Sequence, residues 1–457
     1  MVRKTALAVL TAAICLLLSG CLPWSAEESY RLPRPPREYE NLVSAVAAAK
    51  RTLAAETGSS VEDVAPSAGE HTSTVQLLDM DEDGQQETAV TFFRVVGADR
   101  PVHICFFTRQ EDDSYAMTGM IRGHGDSVYA VHYADLDGMV DPVTGRTSME
   151  AVVSWQMGQN TYHLGAYRLE QGVADSLMET AFDSYRLVDL DQDGRMELAV
   201  GRIDHEQMTG SVELYDWTPD GQQTMEDVPL SAGMTDIIQM RANYLADFVP
   251  ALYVTGELAD NLCGVDIITQ KNGQLTNLTA DAETGVTREQ SSALRELRVS
   301  DVNSDTILEV SRPWQVKPYI GTANGQWVSD WVQYNKNGRA RQVGTTYHNI
   351  ADGWYLVLPD SWRNRLVIYR NDNVSGQRAV IFALWQGEEK EPLPFLSIYK
   401  LTGASRTLRA TSGNRFILAE DSSTIYAATF YNTWDCGLDE SALLENFRLI
   451  VNSWSGD

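Results

Sequence analysis

Residues 77–93 read LLDMDEDGQQETAVTFF, an acidic cluster between two short apolar runs. The same arrangement returns at residues 186–202 as RLVDLDQDGRMELAVGR, and at residues 298–314 as RVSDVNSDTILEVSRPW. A fourth copy, HYADLDGMVDPVTGRTSMEAVVSW at residues 132–155, has an insertion after its second aspartate. Self-similarity at a fixed period is typical of repeat architectures, so the sequence predicts a repeat protein.

The clusters begin at Asp79, Asp135, Asp189 and Asp301, at intervals of 56, 54 and 112 residues. The last interval is twice the first, so one copy has lost its acidic loop, and the stretch at residues 236–256 is the candidate. A unit of about 55 residues holds four short strands with their loops, the size of a propeller blade. We therefore predict a mainly β fold, with a propeller-like repeat domain followed by a small α+β C-terminal domain.

The spacing inside each intact loop predicts a calcium site. Asp or Asn stands at positions 1, 3 and 5, and Glu stands at position 9. Side chains at alternate positions of a tight loop converge, and these oxygens with a backbone carbonyl at position 7 suit six- or seven-coordinate Ca²⁺. The predicted side-chain ligands are Asp79, Asp81, Asp83, Glu87, Asp189, Asp191, Asp193, Glu197, Asp301, Asn303, Asp305 and Glu309. The predicted carbonyl ligands are Gln85, Arg195 and Ile307, and Asp135, Asp137 and Glu150 form a further, incomplete set.

Gly84 and Gly194 allow the sharp turn at position 6, where the last loop has Thr306. The alternative to a metal site is a set of acidic turns held by their own backbone. An EF-hand is excluded, because it needs Glu at position 12 and a following helix. Position 12 here is Val90, Val200 or Arg312, and strand-like runs follow the loops.

The ninth-position glutamate resembles the calcium loops of integrin-type FG-GAP and VCBS repeats. This resemblance implies propeller-like blades with Ca²⁺ in a loop between strands. The wider sequence also resembles uncharacterised surface lipoproteins of Gram-positive bacteria, through residues 66–70, 123–138 and 349–369. This second resemblance implies architecture and location, and no activity.

The N-terminus predicts a lipoprotein signal over residues 1–20. A basic pair and a short apolar run lead to Leu-Ser-Gly before Cys21. This resembles the bacterial lipobox, which implies cleavage before Cys21, a diacylglyceryl group on its sulfur and further acylation, as with palmitate. A plain secretory signal with an unrelated cysteine is the alternative. Residues 21–38 are proline-rich and predict a tether, so we expect the chain on the outer face of the bacterial cell membrane, held by its lipid.

Two further units are predicted after the tether. Residues 39–345 contain one amphipathic helix, over residues 40–57, followed by the repeats. Residues 346–457 are expected to form an antiparallel sheet and a C-terminal helix over residues 440–454, with Asp439 as its N-cap. The predicted apolar face of that helix consists of Leu443, Leu444, Phe447, Ile450, Val451 and Trp454.

Charge and motifs narrow the function. Lys and Arg total 36 against 63 Asp and Glu, a formal charge of −27, which argues against a nucleic-acid partner. Zinc-binding spacings, nucleophile elbows and phosphate-binding loops are absent from the sequence. We therefore expect a binding protein for a glycan, peptidoglycan or another protein. The alternatives are an extracellular hydrolase or lyase that acts on polysaccharide or cell wall, and a structural accessory of an envelope complex.

Cys105, Cys263 and Cys436 are expected as core residues, with one disulfide among them as the alternative.

Overall fold

The computed structural model describes residues 37–140, 145–159, 161–170, 173–318 and 325–450. These residues form a mainly β protein with six antiparallel sheets, so the predicted β class is confirmed. The signal sequence, Cys21, nearly all of the tether, Val451 and Trp454 lie outside the described residues.

The sheets follow one another along the chain, and we number them 1 to 6. Sheet 1 contains β1 Val61–Val64, β2 Val75–Leu78, β3 Thr88–Val95, β4 Val102–Arg109 and β5 Tyr115–Arg122. Sheet 2 contains β6 Ser127–Ala134, β7 Glu150–Gln156, β8 Tyr162–Glu170 and β9 Val173–Ala181. Sheet 3 contains β10 Ser184–Val188, β11 Glu197–Asp204, β12 Thr209–Trp217 and β13 Gln223–Pro229.

The second half of the chain continues the series. Sheet 4 contains β14 Met234–Tyr244, β15 Pro250–Leu258, β16 Leu262–Lys271, β17 Gln274–Asn277 and β18 Gln290–Ser291. Sheet 5 contains β19 Val299–Ser300, β20 Glu309–Gln315, β21 Trp327–Tyr334, β22 Ala340–Asn349, β23 Trp354–Val357 and β29 Phe447–Leu449. Sheet 6 contains β24 Leu366–Val374, β25 Gln377–Leu384, β26 Leu393–Thr402, β27 Phe416–Glu420 and β28 Thr424–Phe430.

Consecutive strands pair in antiparallel order, so each sheet is a meander with local departures. In sheet 1, β2 pairs with the first half of β3 and β1 pairs with its second half. The two short strands β1 and β2 together therefore occupy the position of a first strand. Sheet 4 has a short turn at residues 245–249 between its first two strands. This turn stands where sheets 1, 2, 3 and 5 have acidic loops, as the missing copy in the sequence predicts.

Each sheet packs face to face on the next one in the chain. Because both faces of the inner strands are covered, strands such as β3 are almost continuously apolar and buried. Each pair of neighbouring sheets contributes buried side chains to a shared apolar cluster. From the first pair to the last, these side chains include Phe106 and Trp155, Leu164 and Leu198, Val212 and Val254, Tyr253 and Val332, and Tyr347 and Phe382.

Helices cover the outer faces of the first and last sheets. Helix α1 spans Arg37–Thr57 and packs Leu42 and Leu53 on sheet 1, which confirms the predicted amphipathic helix. It begins at Arg37, so the last two residues of the predicted tether, 37 and 38, belong to the helix. Helix α2, Arg406–Ala410, packs Ala410 on sheet 6.

The predicted C-terminal helix is wrong beyond residue 446. Asp439 caps helix α3, Glu440–Asn446, by accepting the amide of Ala442 at 2.8 Å, as predicted. The chain then becomes β29, which pairs with β23 and buries Phe447 against Trp354. Leu444, expected on the apolar face, is 42% exposed. Edge pairing and one aromatic contact therefore end the helix early. The boundary predicted between residues 345 and 346 lies inside β22.

Candidate metal centres in the repeat loops

Four groups of carboxylates lie at the same place in four of the sheets. Each group occupies the loop that leads into the second strand of its sheet, which is β3, β7, β11 or β20. In each group, one oxygen from every member lies within 4.8 Å of the others. We name them clusters 1, 2, 3 and 5 after their sheets: Asp79, Asp81, Asp83 and Glu87; Asp135, Asp137 and Glu150; Asp189, Asp191, Asp193 and Glu197; Asp301, Asp305 and Glu309.

The loop backbone folds round the first aspartate of each intact cluster. Asp79 accepts hydrogen bonds from the amides of Asp83 at 3.0 Å and Gly84 at 2.7 Å. The amide of Gly194 donates to Asp189 at 3.2 Å in the same way. Asp side chains favour this local bonding over helix or strand, which is why the acidic sequence forms a compact loop.

Position 6 of each intact loop takes a left-handed backbone. The φ angles are +87° at Gly84, +94° at Gly194 and +72° at Thr306. Glycine reaches this region freely, as predicted, whereas a β-branched residue there costs about 1–3 kcal/mol. Thr306 nevertheless donates its amide to Asp301 at 2.9 Å, so the last loop keeps the shape of the others.

A closing glutamate turns back into each loop from the start of the following strand. Its carboxylate accepts the amide of the residue at the second loop position in all four clusters. The pairs are Met80 with Glu87 at 3.1 Å, Leu136 with Glu150 at 2.8 Å, Leu190 with Glu197 at 2.6 Å, and Val302 with Glu309 at 2.8 Å. Glu150, Glu197 and Glu309 are at most 3% exposed, so their carboxyl groups sit beneath the loops.

Burial changes the ionisation of these glutamates. It raises the pKa of Glu150 and Glu197 to about 8 and that of Glu309 to about 7, although the backbone amide opposes each rise. Aspartates of the same loop raise each pKa further by repulsion. A cation among the oxygens favours the ionised form and reverses these shifts.

Buried oxygens without partners fit a cation. Within the described part of the chain, Asp81 Oδ1, Glu87 Oε2 and Asp189 Oδ1 are buried and accept no hydrogen bond. A buried polar atom left in this way costs free energy. These oxygens belong to clusters 1 and 3, whose ligand atoms therefore suit a hard cation that takes several oxygen ligands, and Ca²⁺ is such an ion.

Cluster 2 shows that the interrupted copy also converges. Between Asp137 and Glu150 the structure describes residues 138–140 and 145–149, and Asp135, Asp137 and Glu150 still meet. Arg168 on β8 donates from Nε to Asp137 at 2.7 Å and makes a second contact from Nη2. Asp137 is fully buried, and the guanidinium of Arg168 already provides a positive charge next to its carboxylate.

Two side chains that the sequence pattern did not predict reach the clusters from elsewhere in the chain. Arg146, in the loop of sheet 2, donates to Asp81 and Asp83 of cluster 1 at 2.7 Å each. Gln333 on β21 donates to Asp305 at 2.7 Å and to Glu309 at 2.8 Å. The spacing within each loop carries no signal for these contacts, because Arg146 and Gln333 come from other parts of the chain.

The remaining predicted site residues fall into three groups. Asn303 lies within cluster 5, where its side chain donates to Asp305 at 2.9 Å. The carbonyl ligands Gln85, Arg195 and Ile307 stay a prediction. Cys21 lies outside the described residues.

Of the described helices, none combines the length and apolar character that crossing a bilayer requires. Free, buried thiols are found at Cys105, Cys263 and Cys436.

The sequence matches no known family model, and it matches no curated protein. Among solved structures, it is similar to a candidate 6-phosphogluconolactonase from Bacteroides fragilis, with 9% identity, a TM-score of 0.25, and 70% of this chain and 82% of that chain covered. It is also similar to a periplasmic gluconolactonase from Pseudomonas aeruginosa, with 13% identity, a TM-score of 0.26, and 68% of this chain and 82% of that chain covered. The similarity to TolB from Acinetobacter baumannii has 9% identity and a TM-score of 0.23, and covers 65% of this chain and 61% of that chain. At these TM-scores the description of the fold rests on the strand pairing above.

Proposed function

We propose that this protein is a lipid-anchored extracytoplasmic binding protein whose propeller-like repeats are stabilised by Ca²⁺. The observation that carries the proposal is the recurrence of one acidic loop in sheets 1, 2, 3 and 5, with a closing glutamate that is buried in sheets 2, 3 and 5. Loops that served only as turns would not need a buried carboxylate beneath them. The similarity to FG-GAP and VCBS repeats supports the same ion.

Calcium has a structural role in this proposal. It neutralises carboxylates that otherwise repel one another, and it joins the loop to the strand that carries the closing glutamate. Extracellular calcium modules bind with dissociation constants of about 10⁻⁴–10⁻³ M, which matches a protein outside the cell. The stacked meanders support propeller-like blades, with α1 covering the face of sheet 1 that no other sheet covers in the described chain.

One cavity next to cluster 1 is the candidate contact surface for a ligand. This cavity, of about 450 Å³, lies where β4 and β5 approach the loop of sheet 2. Its lining residues are Met80, Thr88, Phe106, Thr108, Met117, Thr118, Ser148 and Leu169. These side chains offer contact surface and hydroxyl groups, and no carboxyl or imidazole group for acid–base chemistry.

Two measurements test the proposal. Growth of a Gram-positive host with an alkyne-labelled fatty acid should label the full chain and leave the Cys21→Ser variant unlabelled. Incubation of the detergent-solubilised chain with peptidoglycan and with a glycan array, with and without Ca²⁺, should show binding that EDTA removes. Equal labelling of the Cys21→Ser variant would contradict the anchor. Binding that ignores EDTA would contradict the calcium-dependent scaffold.

A further inference from the structure

Sheet 6 is the last sheet of the series, and one of its faces packs on sheet 5 through contacts such as Phe382 with Tyr347. The opposite face, which we name the outer face, has its own apolar cluster, which includes Leu401 and Ile425. Helix α2 packs Ala410 on this cluster, and the cluster contains no residue of another sheet. The outer face next to α2 therefore lacks the covering sheet that the inner faces have.

Strand register places four residues in one row across the outer face. Tyr399 on β26 pairs with Ala379 on β25 and with Ala427 on β28, and Ala427 pairs with Ile417 on β27. Residues directly opposite in antiparallel strands share one face of the sheet. Three strand spacings of about 4.8 Å give this row a length of about 14 Å. The row is therefore long enough to contact an extended polymer rather than one small ion.

The outer face is basic in a strongly acidic protein. Residues 392–419 contain Lys400, Arg406, Arg409 and Arg415 and neither Asp nor Glu, although the formal charge of the chain is −27. The two arginines of α2 and Arg415, just before β27, lie on the side of the outer face. This surface is therefore a local positive region.

The arginines of α2 keep their charge without a carboxylate. Arg406 donates to the carbonyl of Ser422 at 3.0 Å, and Arg409 donates to the carbonyl of Ser375 at 2.7 Å. Among the described residues, neither arginine forms an ion pair. A guanidinium that bonds only to neutral carbonyls still attracts an anion from solution.

Arg415 is held in place with one edge open. Its guanidinium carbon lies 3.8 Å from the centroid of the Tyr399 ring. Its Nη1 donates to Gln377 Oε1 at 3.1 Å and to the carbonyl of Arg409 at 2.9 Å. In the described chain, its Nε and Nη2 have no hydrogen-bond partner. Two such nitrogens on one edge of a guanidinium match the two oxygens of a carboxylate.

Hydroxyl groups surround this guanidinium. Tyr431 is 37% exposed, and its Oη lies 3.1 Å from Ser397 Oγ and 3.3 Å from Tyr399 Oη. Thr429 pairs with Ser397 across β26 and β28, and its buried Oγ1 has no partner among the described residues. Hydroxyl groups and an exposed tyrosine ring suit a ligand with both hydroxyl groups and apolar C–H faces.

Resting on the proposed function, in which Ca²⁺ keeps the scaffold folded, we propose that the outer face of sheet 6 binds an acidic polysaccharide. Its sugars carry carboxylate groups, one of which bonds to the open edge of Arg415. Arg406 and Arg409 attract further carboxylates along the polymer, and Tyr431 contacts a sugar ring. This surface is separate from the cavity next to cluster 1. The acidic remainder of the chain repels the polymer and so confines it to this face.

Hyaluronan, in which every second sugar carries a carboxylate, is the probe, and carboxyl-reduced hyaluronan is the same polymer without the charge. Interferometry with the detergent-solubilised full chain at fixed Ca²⁺ measures both dissociation constants. We expect the reduced polymer to bind at least tenfold more weakly. Hyaluronan binding should also weaken at least tenfold between about 0.05 and 0.5 M NaCl, because salt screens the charges. Equal binding of the two polymers would overturn the proposal.

Variants locate the surface. The double variant Arg409→Gln/Arg415→Gln should raise the dissociation constant for hyaluronan at least tenfold. Arg51→Gln is the matched control, because Arg51 is exposed on the distant helix α1, and it should change nothing. If the double variant does not fold, Leu408→Glu places a negative charge on α2 at a side chain that is 74% exposed. Leu408→Glu should weaken binding at least threefold, and Leu408→Gln should not.

The outcomes separate this inference from the proposed function. Hyaluronan binding that the arginine and Leu408 variants leave unchanged would exclude the outer face and leave the binding function in place. Tighter binding of polyphosphate or polyglutamate than of hyaluronan would show that the partner is a phosphate polymer or an acidic protein instead. A chain that binds neutral glycans and not hyaluronan would likewise contradict this inference alone. A chain that binds no glycan would contradict both.

Discussion

The amide of Met149 donates a hydrogen bond to the carbonyl of Met80 at 2.9 Å, which joins the acidic loop of sheet 2 to that of sheet 1. The amide of Met196 reaches the carbonyl of Asp135 at the same distance, and joins the loop of sheet 3 to that of sheet 2. In both cases the donor directly precedes a closing glutamate. A loop that is ordered by an ion therefore also positions the loop of the preceding sheet.

The left-handed position of the loops predicts opposite effects of two substitutions. Thr306→Gly should stabilise the protein by about 1 kcal/mol, because it removes strain at φ +72°. Gly194→Ala should destabilise it by about 1 kcal/mol, because the backbone has φ +94° although no atom lies within 4 Å of the added Cβ. Urea unfolding at fixed Ca²⁺ measures both. Effects of equal sign would contradict the assignment of strain to this position.

Helix α1 should contribute to stability through one face. Leu42 is 4% exposed and packs in the cluster with Leu53 and Phe107, so Leu42→Ala should cost about 2–4 kcal/mol. Val43 is 49% exposed on the same turn, so Val43→Ala should change the free energy of unfolding by less than about 0.5 kcal/mol. Urea unfolding of the pair measures the difference. Equal effects would show that α1 does not cover sheet 1 in solution.

His348 predicts loss of stability in mild acid. Its ring stacks on Tyr355 at 4.8 Å, both ring nitrogens are buried without hydrogen bonds, and burial lowers its pKa from 6.5 to about 4. The unfolded chain therefore binds the proton first. The free energy of unfolding is therefore not reduced by His348 above pH 6.5. It falls as the pH drops toward 4, by up to about 3 kcal/mol, because protonation favours the unfolded chain.

His348→Phe should flatten this part of the pH profile of the free energy of unfolding. His205 is exposed, so His205→Gln serves as the control and should keep the slope of the unmodified chain. The profile is read from urea unfolding between pH 4 and 7. A His348→Phe variant with an unchanged slope would exclude His348 as its source.

The acidic loops were predictable from sequence because their requirements are local. Asp at alternate positions and a left-handed residue at position 6 determine the loop whatever surrounds it, as Asp79 and Gly84 show. Helix α1 was predictable for the same reason, since an apolar stripe at helical spacing has one interpretation. The repeat interval also predicted which sheet has no acidic loop.

Long-range pairing decided the features that the sequence did not reveal. Arg168 on β8 and Gln333 on β21 reach their clusters through strand register, which no spacing within either strand encodes. The residues after Asn446 have a helical pattern, yet β23 offers Phe447 an edge and an aromatic contact with Trp354. Tertiary contacts therefore outweighed local propensity at this end of the chain.

The central claim is that Ca²⁺ in the loops stabilises the folded chain. At about 100 times its dissociation constant, an ion that binds only the folded state adds about 2.7 kcal/mol per site. The direct measurement is a thermal melt of the detergent-solubilised chain in EDTA, in excess Ca²⁺ and in equal Mg²⁺. We expect EDTA to lower the melting temperature and Ca²⁺, but not Mg²⁺, to restore it. Identical melts in EDTA and in Ca²⁺ would contradict the account.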